Sequence, residues 1–132
     1  MMTLDEARAF FTADRFATEA TGITIDEIGP DYAKCSFIAE GRHQAAHGGV
    51  MGGAIYTLAD FAFAVASNCG GRLTMTTESS IHYLSRAKHP LLTAECRCIK
   101  NGKTTCLFET VITDGAGNRV AYVTSGGMHL DK

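Results

Sequence analysis

A single carboxylate, Asp60, lies inside an otherwise small and apolar stretch. Between Gly53 and Asn68 only Thr57, Asp60 and Ser67 interrupt a run of alanines and larger apolar side chains. Burying an ionised carboxylate without partners is expensive, and the usual outcome is a raised pKa or a paired charge. Two readings follow. Asp60 is either a core residue hydrogen-bonded to a nearby hydroxyl or amide, or a reactive group facing a cleft. On a helix, Gly53, Thr57, Asp60 and Ala64 fall at i, i+4, i+7 and i+11 and share one face. That face carries no large side chain, so it leaves a groove with one hydroxyl and one carboxylate. A carboxylate so placed suits a general base or a nucleophile.

The groove begins at a cluster of glycines: Gly48, Gly49, Gly52 and Gly53. Glycines let a ligand approach the backbone closely, and the first amides of a helix are unpaired donors with partial positive charge. Such a terminus can hold a developing oxyanion. Tight turns and close packing are the plainer reading of the same glycines. No Gly-Lys-Ser/Thr follows, which excludes a phosphate loop.

The surrounding elements must position these groups. Thr3, with Asp5 and Glu6 after it, is an N-cap for a short front helix with Phe10, Phe11, Phe16 and Ala17 on one side, ended by Gly22. Ile23, Ile25 and Ile28 open an extended segment. Gly29-Pro30-Asp31 is a turn, and Tyr32 to Ala39 alternates like a strand. A helix that is apolar nearly all round, here about residues 52–68, is a buried one. Beyond it, Leu73–Leu84 and Leu91–Ile99 read as strands. Asn101-Gly102 is a two-residue hairpin signal, and Asp114-Gly115 with Gly117-Asn118 marks the next turn. The pattern predicts an α+β domain spanning residues 1–132. A meander of about four strands follows the helix and two strands precede it, giving β-β-α-β-β-β-β curled about one helix.

Composition narrows the classes. The chain has 132 residues, 45% of them hydrophobic, and a formal net charge of −2. No basic stripe suggests nucleic acid, and no apolar run approaches the roughly 18 residues of a membrane span. The N-terminus lacks the apolar core of a secretory signal. Five cysteines without a CxxC pair read as reduced thiols of a cytoplasmic protein, with neither a disulfide framework nor a metal site.

The segment from Met51 to Ala64, with Gly52-Gly53, six residues and Asp60 in Leu-Ala-Asp, resembles the signature of PaaI-like (phenylacetate-pathway type) hotdog-fold acyl-CoA thioesterases. The resemblance continues through Ile81 to Lys88, Asn101 to Thr104, Asp114-Gly115 and Val120-Ala121. It implies a hotdog fold, with the sheet wrapped around the central helix, and hydrolysis of an aryl- or medium-chain acyl-CoA. Asp60 matches the family's base or nucleophile, and Gly52 the glycine whose amide polarises the thioester carbonyl. Thr76 or Thr77 matches a hydroxyl that orients water. The site is implied to lie between subunits, with Gly52 and Asp60 from opposite chains of a homodimer or a tetramer of dimers. CoA enters as part of the substrate, and no separate cofactor is implied.

Gly53, Thr57, His47, Thr77, Arg86 and Lys88 are the substrate-binding candidates, Arg86 and Lys88 for the CoA phosphates with Arg42 and Lys103 as further cations. Met51 and Ala45 stand where the family has His and Asn, leaving His43, Gln44 and His47 as the loop's polar replacements. Thr57 and Thr76 are expected to donate to the ionised Asp60. Tyr56, Met51, Tyr83 and one of Phe61 and Phe63 are candidates for the acyl pocket. A hydratase is disfavoured, because Val65 follows Asp60 by five and the helix holds no His. A non-catalytic acyl-CoA sensor is the remaining alternative.

Overall fold

The structure is a computed structural model that describes residues 1–130. A first helix, α1 (Leu4–Phe11), begins at Thr3. The Thr3 hydroxyl accepts from the Glu6 amide, and the Glu6 side chain accepts from the Thr3 amide, a complete capping box. A π-helical turn, Phe16–Ala20, follows. Then come β1 (Thr24–Gly29), β2 (Tyr32–Ile38), a short 3-10 turn (Gly41–His43) and the central helix α2 (Gly52–Asn68). Four strands complete the chain: β3 (Thr74–Tyr83), β4 (Leu91–Asn101), β5 (Thr105–Asp114) and β6 (Arg119–His129).

The six strands form one antiparallel sheet in the order β1-β2-β4-β5-β6-β3. Helix α2 lies on its concave side. Leu58, Ala59, Ala62, Phe63 and Ala66 are buried there against Ala33, Cys35, Leu92, Ala94, Cys96, Phe108 and Val123. Alternate residues of β2, β4, β5 and β6 point inward, the period expected of a sheet with one covered face. Phe63 meets Phe108 edge-on at 5.3 Å between centroids, and Phe61 meets Phe11 at 6.0 Å. The alanines of α2 allow this close approach, because each leaves room for a strand side chain.

Three expectations need correction. The strands after α2 are not a simple meander: β3 crosses to the far edge and pairs with β6, while β4 joins β2. The front segment does not bury Phe10 and Phe16 beside Phe11 and Ala17. Phe10 is 61% and Phe16 70% exposed, because the chain turns after Phe11 and restarts as a π turn. The hairpin between β4 and β5 does not turn on Asn101-Gly102 either. Asn101 pairs with Cys106, and the Gly102 amide donates to the Thr105 carbonyl at 2.8 Å, so Lys103 and Thr104 make the bend. The Asn101 side chain is engaged instead by His129 at 2.7 Å and by Asp31 at 3.3 Å.

The five cysteines are free. Among the described residues no group of His, Cys, Asp or Glu could hold a metal ion, and no helix is long and apolar enough to cross a membrane.

Candidate active site

Helix α2 turns one narrow stripe away from the core. Gly53 and Asp60 are exposed on it, and Tyr56, Thr57 and Ala64 are half-buried beside them. This is the face that the spacing of Gly53, Thr57, Asp60 and Ala64 predicts. The Asp60 carboxylate opens into two adjoining clefts of about 370 Å³ each. One is lined by Gly53, Tyr56, Thr57 and Phe16, the other by Asp14, Arg15, Phe16 and Phe61. Among the described residues no group donates a hydrogen bond to Asp60. The expected donation from Thr57 does not occur: its hydroxyl is given to the Gly53 carbonyl one turn back, at 2.8 Å. A threonine inside a helix commonly satisfies itself in this way. Partial burial pushes the Asp60 carboxyl above its ordinary range, and the negative charge of Asp14 pushes it further in the same direction.

The second group of residues gathers where α2 begins. The helix starts at Gly52 after Met51, which offers no side-chain cap. The Gly52 and Gly53 amides meet no acceptor among the described residues, leaving two oriented donors. The Tyr83 hydroxyl donates to the Gly52 carbonyl at 2.9 Å and ties β3 to the helix start. A Cβ on Gly52 would meet that hydroxyl at 3.0 Å, so glycine is what fits against the tyrosine. Gly48 and Gly49 turn with φ of +92° and +81°. The Arg86 guanidinium lies over them, 3.0–3.2 Å from where a Cβ on either would stand. Arg86 has no ion-pair partner among the described residues. With His47 and Tyr83 these groups line a cleft of about 410 Å³.

Within one chain the predicted site residues therefore fall into separate places. Asp60, Thr57 and Gly53 share the clefts beside α2, whereas Gly52, His47 and Arg86 share the cleft at its start. Thr76 and Thr77 lie exposed on β3, next to a register shift between Thr76 and Glu78. That strand runs back along α2. Asn68 at the helix end bonds the Thr74 backbone at 2.8 and 3.3 Å, while Tyr83 reaches Gly52 at the other end. Its outer edge is unpaired in the described chain.

Several further candidates have backbone or side-chain contacts within the chain. The Lys88 amide is held by the Asp114 carboxylate at 2.8 Å, and its exposed side chain does not line the Arg86 cleft. That carboxylate also collects the Ala116 and Asn118 amides, and these hydrogen bonds hold its pKa down at about 2. Arg42 donates to the Glu19 carbonyl at 3.2 Å and pairs with Glu40. Lys103 sits on the β4–β5 bend, where Arg72 grips its carbonyl at 2.9 Å. His43 is buried against Phe37, accepting from the Glu40 amide and bonding the Thr21 carbonyl at 2.8 Å. Gln44 reaches only the Glu40 carbonyl. Of the three polar replacements, His47 lines the cleft at the helix start. Phe63 is core, and Phe61 forms the floor of the Asp14 side. Phe16, Asp14 and Arg15 also border Asp60, although nothing in their spacing signals it.

Residues 47–121 match the family model described as the thioesterase superfamily. A curated relative from Archaeoglobus fulgidus, named "Putative esterase", is 34% identical over 98 residues, covering 74% of this chain and 64% of its own. The match thus spans under two-thirds of that relative's length. A "Hypothetical Thioesterase Protein" from Streptococcus pneumoniae, solved with coenzyme A, superposes with a TM-score of 0.84 at 22% identity, covering 92% of this chain and 98% of its own. It has also been solved as an aspartate-to-alanine and as a threonine-to-alanine mutant. A mutant of the phenylacetic acid degradation protein PaaI from Thermus thermophilus gives 0.81 at 25% identity, covering 86% of this chain and 97% of its own.

Proposed function

The chain belongs to the thioesterase superfamily and has the hotdog fold, and on that premise we propose that it hydrolyses the thioester of an aryl- or medium-chain acyl-CoA, giving the free acid and CoA. The observation that carries the reading is Asp60: an ionisable group without a hydrogen-bond donor among the described residues, set in a cleft on the one open stripe of a buried helix. A carboxylate with a raised pKa and free lone pairs is a competent proton acceptor. As base, Asp60 takes a proton from water while the water oxygen adds to the thioester carbonyl. The oxyanion so formed is held by the Gly52 amide, and its collapse expels the CoA thiolate, which takes up the proton. As nucleophile, Asp60 adds to the carbonyl and expels the CoA thiolate; water then cleaves the mixed anhydride, releasing the acid, restoring the Asp60 carboxylate and supplying the proton that the thiolate takes up. Thr76 orients the water, and Thr77 lies beside it. The Streptococcus pneumoniae protein lends support here, since its two mutated residues stand sixteen positions apart, as do Asp60 and Thr76.

The site joins two subunits in this proposal. The separation of the Gly52 and Asp60 clefts supports it, as does a β3 that is exposed along most of its length and unpaired on one edge. Such an edge is a template for another chain. We assign the assembly as a homodimer or a tetramer of dimers, with acyl-CoA as ligand and no cofactor beyond it. Arg86, without an ion-pair partner among the described residues, meets a CoA phosphate above the Gly48–Gly49 turn, His47 contacts the substrate near it, and Gly53 and Thr57 contact it in the Asp60 cleft.

Complementation tests the arrangement. Asp60→Asn and Gly52→Val are each expected to be inactive in thiol release from acyl-CoA. Unfolding and refolding them together makes mixed dimers in which one site of two is intact, so about a quarter of wild-type activity returns. No recovery would refute the shared site. Wild-type protein that binds acyl-CoA without releasing thiol would refute hydrolysis and favour the sensor.

A further inference from the structure

Phe16 stands out on the surface of the chain. A phenylalanine with 70% of its surface in water gains from being covered, and a rigidly held one gains most, because little entropy is lost. Phe16 is held rigidly. Its carbonyl accepts from the Thr21 amide at 2.9 Å, closing the π turn, and the buried Ala17 anchors the next position. Arg42 and His43, from the loop leading to α2, grip the Glu19 and Thr21 carbonyls at 3.2 and 2.8 Å.

The ring lines both clefts that open on Asp60. On one side stand Tyr56, Thr57 and Gly53, with no charge other than Asp60; on the other stand Asp14 and Arg15. We infer that Phe16 is the wall of the acyl subsite and sets its preference for apolar acyl groups. The inference rests on the thioesterase reading and names the part of the substrate that this surface covers. A thioester carbonyl within reach of Asp60 has two arms. The CoA arm is polar and ends in phosphates, and the Arg86 guanidinium, which has no ion-pair partner among the described residues, draws it toward the cleft at the helix start. The acyl arm is left with the side between the rings of Phe16 and Tyr56. Phe16 stands between this chamber and the side lined by Asp14 and Arg15, so a bare hydrocarbon or aryl group meets carbon rather than charge.

Non-hydrolysable CoA thioethers test this independently of turnover. The dissociation constants of S-hexyl-CoA and S-methyl-CoA are measured by calorimetry for wild type, Phe16→Ala and Phe16→Leu. The expected result is that Phe16→Ala weakens S-hexyl-CoA about tenfold and S-methyl-CoA less than about twofold, with Phe16→Leu restoring most of the difference. Equal weakening of both ligands, or none, would overturn the inference. So would loss of the dimer in Phe16→Ala by light scattering with an unchanged ligand ratio, because Phe16 would then be a subunit contact. So would a large fall in melting temperature, which would make it a core residue. Thiol release from hexanoyl-CoA, followed in parallel, separates the two ideas: its absence in wild type refutes hydrolysis, while the thioether ratio still decides on Phe16.

Discussion

Replacing Asp60 by Asn is expected to move activity and stability in opposite directions. The change keeps the shape of the side chain and removes its ability to accept a proton or attack. Loss of a positioned base or nucleophile costs about 10²–10⁴-fold in rate, or about 3–5 kcal/mol in the barrier. Stability changes the other way. The carboxylate receives no hydrogen bond among the described residues, and burial and the Asp14 charge both disfavour its ionised form. A neutral amide escapes both penalties. Because Asp60 is still reached by water, the gain follows the scale of screened surface charges, at most about 1 kcal/mol at neutral pH. The gain depends on pH. A folded pKa above the unfolded value means that the folded chain holds the proton more tightly, so wild type recovers stability as pH falls through the raised pKa toward the ordinary aspartate value. The variant's advantage is therefore present near pH 7 and disappears near pH 4. Thiol release gives the rate, and urea titrations at the two pH values give the stability. Near-normal turnover would refute the assignment of Asp60. A variant less stable than wild type at neutral pH would refute the account of its surroundings.

Asp14→Asn removes one of the two causes of the raised Asp60 pKa, so the acidic limb of the profile of kcat/KM against pH moves to lower pH; an unmoved limb would mean that Asp14 is not felt at the reacting group. Gly52→Ala gains about 0.5–1 kcal/mol of helix preference and loses about 1 kcal/mol with the Tyr83 hydrogen bond. Its melting temperature should stay nearly constant while turnover falls about tenfold or more, as the methyl group crowds the amide that faces the oxyanion. Arg86→Ala raises KM for acyl-CoA and leaves KM for the matching pantetheine thioester unchanged, because only the former carries the nucleotide phosphates; equal effects would exclude phosphate contact.

Much of the fold can be read from local pattern. The α2 boundaries follow from the apolar run between Gly52 and Asn68, and the Thr3 cap follows from its neighbours. The face bearing Asp60 follows from helical geometry, because one turn of helix fixes which residues are adjacent. What could not be read depends on partners distant in the chain. The β3 segment has the composition of any strand, and its place at the sheet edge is set by β6. Asn101 looks like a turn residue until His129 claims its side chain. Arg42 and His43 look like ligand groups, yet the carbonyls of Glu19 and Thr21 occupy them from some twenty residues earlier. Thr57 departs from the expected contact for a local reason, since its own helix offers the Gly53 carbonyl as a nearer acceptor. Phe16 has the spacing of a core aromatic, yet the chain turns after Phe11 and leaves its ring exposed.

The position of β3 also governs when the site can form. Thr74 faces His129 and Tyr83 faces Ala121, so the partner of this strand among the described residues lies far along the chain, beyond β4 and β5. Pairings this distant in sequence form late, because the loop between them must close first. The α2 helix and its glycine-rich start can settle against β2 and β4 earlier. The hydroxyls of Thr76 and Thr77 and the Tyr83 grip on Gly52 must wait for β6. A chain truncated after Asp114 thus carries Asp60 and Gly52 but no β6 to hold β3 beside them. The arrangement of Thr76, Thr77 and Tyr83 beside α2 is therefore expected to appear only once β6 is in place, rather than gradually.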